Sequence, residues 1–180
     1  GSDLYLRGEG EYELMDSLAV NYIYMYNGTF KTNGHPVSLY RMYMENGTDS
    51  VFLDKSNLYV GNYWEYDNTT AYFDAGQSHI HFDGTYLYAD NDESGIPVYN
   101  KVSFNSTSYL YSSASIDTLM LLPGASLYID YLDTLKVEHV IANGTAWNPI
   151  DFGSTNSGNR AELYQASGEV NVSYANLINM

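Results

Sequence analysis

The chain has 180 residues and a mass of 20.2 kDa, and its 7 Lys and Arg residues against 22 Asp and Glu residues give a formal net charge of −15 at pH 7. Proteins that bind nucleic acid or anionic membrane surfaces gain affinity by placing Lys and Arg beside phosphates, so this charge balance excludes both partner classes. With 44% hydrophobic and 16% aromatic residues the chain has enough apolar surface to fold, which excludes a disordered chain and leaves its 20 tyrosines to be explained.

Short strands are the elements that the sequence predicts. Polar and apolar residues alternate at 21–27, 78–83, 126–130 and 169–174, and most of these segments end in Asn, Asp, Gly or Ser. Runs of Ala, Leu, Glu and Lys at the helical spacing of about 3.6 residues are almost missing. The fold class that follows is all-β, built from many brief strands.

Turn motifs recur along the chain at a nearly constant distance. Their first residues are Asn27, Asn46, Asn68, Asp83, Asn105, Pro123 and Asn143. The intervals are 19, 22, 15, 22, 18 and 20 residues, with a mean of about 19.3. A fixed short period is typical of a solenoid, in which each coil buries its apolar face against its neighbours. The spacing predicts eight or nine coils of about 19–20 residues each, and a β-sandwich is the alternative fold.

Four segments of the chain resemble a known family. The residues at 64–82, 98–104, 135–145 and 160–177 are similar to right-handed parallel β-helix segments of very large secreted surface adhesins of Bacteroidetes-type bacteria, and related segments occur in phage tail proteins. The resemblance covers most of the chain and implies a single-stranded right-handed parallel β-helix. It also implies an extracellular or cell-surface location and, as partners, other domains of the same long chain. Where family members tend to place Thr and Ser on outward strand positions, this chain places Tyr.

The expected domain is a single unit. The dipeptide Gly1-Ser2 is typical of a linker left by cloning, so residues 1–3 are expected to precede the domain, which spans 4–180 as a fragment of a longer chain. No apolar stretch approaches the roughly 18 residues of a membrane span, so membrane insertion is not expected. The chain has no Cys, which excludes disulfides, thiolate zinc sites and cysteine nucleophiles.

Tyrosines alternate with apolar residues along the predicted strands. Tyr22, Tyr24 and Tyr26 share one side of a strand, opposite Ile23 and Met25, because successive side chains point to opposite faces. With the apolar pair inside, the tyrosines form part of an exposed aromatic face. The predicted members of that face are Tyr22, Tyr24, Tyr26, Tyr86, Tyr88, Tyr109 and Tyr111. Two interpretations stay open: the face binds a polysaccharide or a solid surface, or rings of neighbouring coils stack and stabilise the sheet.

The predicted interior is small and takes aliphatic and Phe side chains, because a coil of this length encloses little space. Its members are Ile23, Met25, Ile80, Phe82, Leu110, Leu119, Leu121, Leu127, Ile129, Val170 and Val172.

One candidate metal site lies in a strand with alternating histidines. His79, His81 and Asp83 project from one face, with Ile80 and Phe82 on the other. A flat strand holds such side chains roughly 7 Å apart, and a closed metal site needs further partners. The alternative interpretation is a solvated outer face.

A second candidate metal site is an acidic loop. Asp90, Asp92 and Glu93 offer the oxygen ligands that calcium prefers, but they lack the spacing of an EF-hand loop. The two interpretations are a weak calcium site and a polar insertion between coils. No other cofactor is expected.

Catalytic motifs are missing from the sequence. It contains no Gly-x-Ser-x-Gly elbow or phosphate loop, nor the carboxylate clusters and basic residues that polysaccharide lyases and glycoside hydrolases use. The sequence therefore predicts a non-catalytic structural or adhesive module, a stiff rod with a tyrosine face. The alternatives are a carbohydrate-active β-helix enzyme of the lyase or hydrolase kind and a segment of a phage tail fibre.

Overall fold

The computed structural model describes residues 1–44, 49–67, 72–90 and 96–180, and in these ranges it consists of strands without any α-helix. The first ten strands are β1 (Asp3–Leu6), β2 (Glu11–Glu13), β3 (Leu18–Met25), β4 (Gly28–Lys31), β5 (Val37–Met44), β6 (Asp49–Phe52), β7 (Asn57–Asp67), β8 (Tyr72–Asp74), β9 (His79–Phe82) and β10 (Tyr86–Asp90). The others are β11 (Val98–Phe104), β12 (Thr107–Leu110), β13 (Ala114–Leu121), β14 (Ser126–Ile129), β15 (Thr134–Asn143), β16 (Ile150–Ser154), β17 (Glu162–Gln165), β18 (Val170–Ser173) and β19 (Ala175–Ile178). The predicted all-β fold class is confirmed.

The strands stack in parallel as coils with three faces. The first face contains the N-terminal halves of β3, β5 and β7, then β9, the C-terminal halves of β11, β13 and β15, and β18. The second contains β1, the C-terminal halves of β3, β5 and β7, then β10, β12, β14, β16 and β19. The third contains β2, β4, β6 and β8, then the N-terminal halves of β11, β13 and β15, and β17. The result is the predicted β-solenoid, with about 8 turns.

The coil length can be measured along one registered row of the second face. That row is Asp3, Tyr22, Arg41, Tyr63, Tyr86, Tyr109, Tyr128 and Gly153. Its intervals are 19, 19, 22, 23, 23, 19 and 25 residues, with a mean of about 21. The predicted length of 19–20 residues therefore holds for three coils, and the others are longer.

The turn motifs lie at two different corners of the solenoid. Asn27 lies between β3 and β4, after the second face, whereas Asp83 and Asn105 lie between the first and second faces, and Asn143 ends β15 at that same corner. Asn46 and Asn68 lie outside the described residues. The prediction that these turn motifs form one series was wrong. The stretch of chain from one corner to the other is shorter than a full coil, so counting it as a coil lowered the predicted mean coil length. The corner changes because β3, β5 and β7 bend continuously from the first face into the second, whereas β11, β13 and β15 bend continuously from the third into the first.

The interior is one continuous apolar core. The predicted interior residues from Ile23 to Ile129 are buried, and the core also encloses Trp64 and Tyr99, which the prediction of an aliphatic and Phe interior missed. Val170 and Val172 were wrongly predicted as interior, since they are 56% and 44% exposed. They lie in β18, which pairs with β15 alone among the described strands, so no further coil covers them.

Small hydroxyl side chains turn inward at the corners, and several of them are hydrogen-bonded there. Thr32 Oγ1 donates to the carbonyl oxygen of Leu53 (2.8 Å), and Ser56 Oγ donates to Thr32 Oγ1 (2.6 Å). At another corner, the backbone N–H of Thr85 donates to Ser108 Oγ (3.2 Å). Each bond joins successive coils, so these buried polar groups are paired. The hydroxyls of Ser78 and Ser112 are buried without a hydrogen-bond partner among the described residues.

The first residues of the chain pack onto the first coils. β1 begins at Asp3, one residue before the predicted domain boundary, and Asp3 is registered with Tyr22. The backbone N–H of Asn21 donates to the carbonyl of Ser2 (2.9 Å), and Asn21 Nδ2 donates to that of Gly1 (3.1 Å). The described residues contain no helix of the length and apolar character needed to cross a membrane.

The corner at Gly28 generates a stability prediction. Gly28 has a φ of +104°, and a Cβ there would lie 2.6 Å from the carbonyl oxygens of both Gly8 and Gly10. We expect Gly28→Ala to lower the free energy of unfolding by more than about 1 kcal/mol, because both the backbone conformation and the space favour glycine. Urea denaturation followed by circular dichroism measures this. Gly10→Ala is the control, since a Cβ at Gly10 meets nothing within 4 Å; equal losses in the two variants would contradict the corner geometry.

Candidate functional site

The outward side of the second face and its adjoining bend carry a network of tyrosine rings, here called the tyrosine ladder. At least twelve rings belong to it, each with its centroid within 6.5 Å of another member. They are Tyr5, Tyr22, Tyr24, Tyr26, Tyr40, Tyr43, Tyr63, Tyr86, Tyr88, Tyr109, Tyr111 and Tyr128. All seven residues of the predicted aromatic face lie in this network, while Ile23, Met25, Leu87 and Leu110 between them are buried.

Ring stacking covers the flat faces of ladder tyrosines. Tyr24 lies 4.9 Å from Tyr5 in the preceding coil and 4.9 Å from Tyr43 in the following coil, at interplanar angles of 5° and 1°. A sugar ring that stacks on an aromatic side chain needs an uncovered face. Tyr24 therefore presents its edge and hydroxyl outward, and its faces are occupied by its neighbours. This geometry favours the stacked-ladder interpretation over a sugar-stacking face.

Arg41 lies between two tyrosines in the registered row of the second face. Its guanidinium carbon lies 5.7 Å from the ring centroid of Tyr22 and 5.8 Å from that of Tyr63, on the two sides of it in the row. Its Nη1 also donates a hydrogen bond to the hydroxyl of Tyr43 (3.1 Å). A guanidinium over an aromatic ring is attracted by the ring quadrupole, so Arg41 continues the ladder.

Four of the ladder hydroxyls are held in their uncharged form at neutral pH. Burial among neighbouring groups raises the pKa of Tyr24, Tyr63, Tyr88 and Tyr111, and nearby rings raise the pKa further. At Tyr63 the carboxylate of Glu65 adds to the effect. These four residues therefore present neutral ring edges and hydroxyl groups on a strongly acidic protein, while Arg41 adds a positive charge to the same network.

A second surface, here called the edge groove, lies where the first face meets the second. It encloses about 480 Å³, and its polar and aromatic lining includes Asn21, Tyr40, Tyr59, His81, Asp83 and Asn105. The groove forms where β3, β5 and β7 pass this corner without a loop, and the turns that begin at Asp83 and Asn105 border it. No local sequence pattern indicates this groove, because its lining residues lie about one coil apart in the sequence and become neighbours only along the axis.

The two histidines of the first candidate metal site contact each other. The ring centroids of His79 and His81 are 3.7 Å apart, so the expected spacing of roughly 7 Å was wrong for the rings, which lean together. His81 also stacks on Tyr59 at 4.7 Å, and its Nδ1 lies 2.9 Å from Ser103 Oγ. Asp83 is exposed in the turn after β9, and the described residues do not bring its carboxylate into a three-ligand group with the histidines.

One group of potential ligand atoms does come together in the described part of the chain. Asp117, Glu138 and His139 each offer an atom within 4.8 Å of the others, near the corner between the third and first faces. Asn100 Nδ2 donates to Asp117 Oδ2 (3.5 Å), and the N–H of Glu169 donates to His139 Nδ1 (3.4 Å). The sequence signal for this group is the spacing of 21 residues between Asp117 and Glu138, which corresponds to one coil.

Two of the three residues of the second candidate metal site, Asp92 and Glu93, lie outside the described residues, and Asp90 is the last residue of β10. The side chains of Asp90, Asp92 and Glu93 are not among those that the structure places. A weak calcium site in this loop stays a prediction.

Comparisons with known protein families, with curated proteins and with solved structures find no match for this chain. The assignment of function therefore depends on the geometry of the ladder and the groove.

The histidine pair generates a pH prediction. Burial, then the neighbouring His81 and Lys101, lower the pKa of His79 to about 4, and its buried Nε2 has no hydrogen-bond partner among the described residues. In the unfolded chain the pKa is near 6.5, so the unfolded state binds more protons between these values and stability falls as the pH drops through this window. We expect His79→Gln to reduce the loss of stability between pH 7 and pH 5, measured as the shift in urea midpoint.

The control for the pH prediction is His35→Gln, in the turn between β4 and β5. This variant should keep the pH dependence of the unchanged protein. If His79→Gln and His35→Gln show the same dependence, the buried pair is not its source.

Proposed function

We propose that this chain is a non-catalytic structural module, a stiff β-solenoid rod within a larger secreted or cell-surface protein. The observation that carries the proposal is the continuity of the tyrosine ladder from Tyr5 to Tyr128. A rod that spaces or presents other domains must keep its coils together under load. The ladder adds an outer contact between successive coils to the backbone hydrogen bonds and the inner core.

The inner and outer contacts reinforce the same coil boundaries. Inside, the rings of Phe82 and Phe104 lie 5.4 Å apart in successive coils, while outside, Tyr88 and Tyr111 lie 4.9 Å apart across the same boundary. Neighbouring aromatic pairs on a sheet each contribute roughly 0.2–1 kcal/mol. Repeated from coil to coil, such pairs add several kcal/mol against separation of the coils.

The charge of the chain supports an extended rod in an aqueous environment. A net charge of −15 repels other copies of the protein and favours solubility. This matters for a solenoid, because the end coils present sheet edges that could pair with another chain.

The ladder generates a mechanical prediction. Tyr24→Ser, Tyr43→Ser and Tyr63→Ser together remove at least six of the described ring pairs. We expect this triple variant to lose about 3 kcal/mol of stability, at roughly 0.5 kcal/mol per pair. It should also unfold at lower force when single molecules are pulled from both ends. Urea denaturation and force spectroscopy measure the two effects.

A matched variant controls for the loss of three tyrosines. Tyr131→Ser, Tyr164→Ser and Tyr174→Ser remove exposed rings that the described ladder does not include. This control should change the free energy of unfolding by less than about 0.5 kcal/mol per substitution. Equal unfolding forces in the ladder and control variants would contradict a mechanical role for the ladder.

The enzymatic alternative has its own test. The protein is incubated with neutral and acidic polysaccharides, with and without calcium, and new reducing ends are measured. As a non-catalytic module, it should release none above a blank without protein. Turnover above the blank would replace the proposed function with that of a carbohydrate-active enzyme.

A further inference from the structure

The edge groove contains a tyrosine that is held in place and yet has an open face. Tyr59 is 48% exposed, and one side of its ring stacks on His81 at 4.7 Å and an interplanar angle of 8°. His81 is itself held by its contact with Ser103. On the other side of Tyr59, the registered residue of the preceding coil is Ser38, whose side chain is too small to cover an aromatic ring. Tyr59 thus differs from Tyr24, whose two faces are both covered.

A second ring, that of Tyr40, is held against the backbone of the next coil. Tyr40 is 47% exposed and meets Tyr22 edge to face at a centroid distance of 6.4 Å and an angle of 84°. A Cβ at Gly61 would lie only 3.0 Å from Tyr40 Cδ2. Because Gly61 has no side chain, the ring of Tyr40 can pack against this position. The space beside it forms part of the groove.

Hydrogen-bonding groups stand at the border of the groove. Asp83 and Asn105 are exposed there, and Asn21 lines the groove from β3. No Lys or Arg is among the lining residues that the structure describes; the positive groups beside them are the terminal amine of Gly1, which is a lining residue, and the guanidinium of Arg41, whose carbon lies 5.6 Å from the ring centroid of Tyr40. Carboxylate and amide groups hydrogen-bond to hydroxyls, and aromatic faces pack against apolar ring surfaces. Together with the acidity of the chain, this lining suits an uncharged polyhydroxylated ligand and disfavours an acidic one.

The groove is elongated along the solenoid axis. Its lining comes from β3, β5, β7, β9 and the turn after β11, which belong to five successive coils. With strands about 4.8 Å apart, this corresponds to a length of roughly 19 Å. Its volume of about 480 Å³ lies within the range of ligand sites. Each coil contributes residues to this elongated site, which suits a ligand that is itself a chain of repeating units.

We propose that the edge groove binds an uncharged saccharide chain laid along the solenoid axis. The open face of Tyr59 stacks on a sugar ring, and Tyr40 forms a second aromatic contact. The carboxylate of Asp83 accepts hydrogen bonds from sugar hydroxyls, and the amide of Asn105 accepts or donates them. This activity goes beyond the rod and does not depend on it.

Isothermal titration calorimetry of the full chain tests the proposal. The probes are cellohexaose, laminarihexaose, mannohexaose and xylohexaose, with polygalacturonate as an acidic polymer. We expect at least one neutral probe to bind, Tyr59→Ser to weaken that binding at least tenfold and Asp83→Asn to weaken it at least threefold. The control Tyr131→Ser removes a ring that is 40% exposed outside the groove, and its affinity should stay within twofold.

A second variant keeps the test decisive if Tyr59→Ser perturbs the fold. Ser38 is exposed, lines the groove and is registered with Tyr59, so Ser38→Phe covers the open face of Tyr59 without removing a ring, and it should also abolish binding. The proposal is overturned if no neutral probe binds at millimolar concentration, if Ser38→Phe binds as the unchanged protein does, or if polygalacturonate binds as tightly as the neutral probes. Circular dichroism and urea midpoints show whether the groove variants are folded. Absence of saccharide binding by a folded protein would overturn the groove proposal alone, because the proposed rod function is tested with the ladder variants.

Discussion

The parallel, in-register stacking of coils is the constraint on which the rest of this structure depends. It places each residue about 4.8 Å from its counterpart one coil away, so the nearest neighbour of a side chain is set by the coil length. Tyr24 on Tyr43 outside, Phe82 on Phe104 inside and Ser56 on Thr32 at a corner are three forms of the same contact. In each of these three environments, a side chain contacts a chemically similar side chain of the next coil along the solenoid axis.

The tyrosine ladder and the edge groove differ in the sizes of the side chains that follow one another from coil to coil. In the tyrosine ladder, large rings follow large rings, and the stack closes the flat faces of a residue such as Tyr24. In the edge groove, Tyr59 follows Ser38 and Tyr40 precedes Gly61, so a large side chain lies beside a small one. The difference in size between these neighbouring side chains leaves space beside the rings of Tyr59 and Tyr40. The same tyrosine side chain therefore stabilises one surface and leaves a ring available to a ligand on the other.

The sequence predicted the features that depend on local alternation. The pattern around Ile23 and Met25 was sufficient to place Tyr22, Tyr24 and Tyr26 outside, because a strand fixes which side each residue faces. It could not assign corners, since Asn-Gly and Asp-Gly mark a turn without indicating which faces it joins. The edge groove was equally hidden, because its residues become neighbours only once the lengths of several coils are known. The contact between the two histidine rings depends on side-chain torsions, which alternation does not determine.

The change of corner along the chain also affects how the rod can carry other modules. Early coils bend without a loop between the first and second faces, whereas later coils from β11 to β15 bend without a loop between the third and first. Exposed turns tolerate insertions far better than continuous strands do. Turns after the second face occur in both halves, at 26–27 and at 130–133, but the other loop moves from the corner between the third and first faces to the corner between the first and second faces. A module inserted at that other loop would therefore project in a direction rotated by about one third of a circumference between the two halves. Such a solenoid sets the angular position of its attachments as well as their separation.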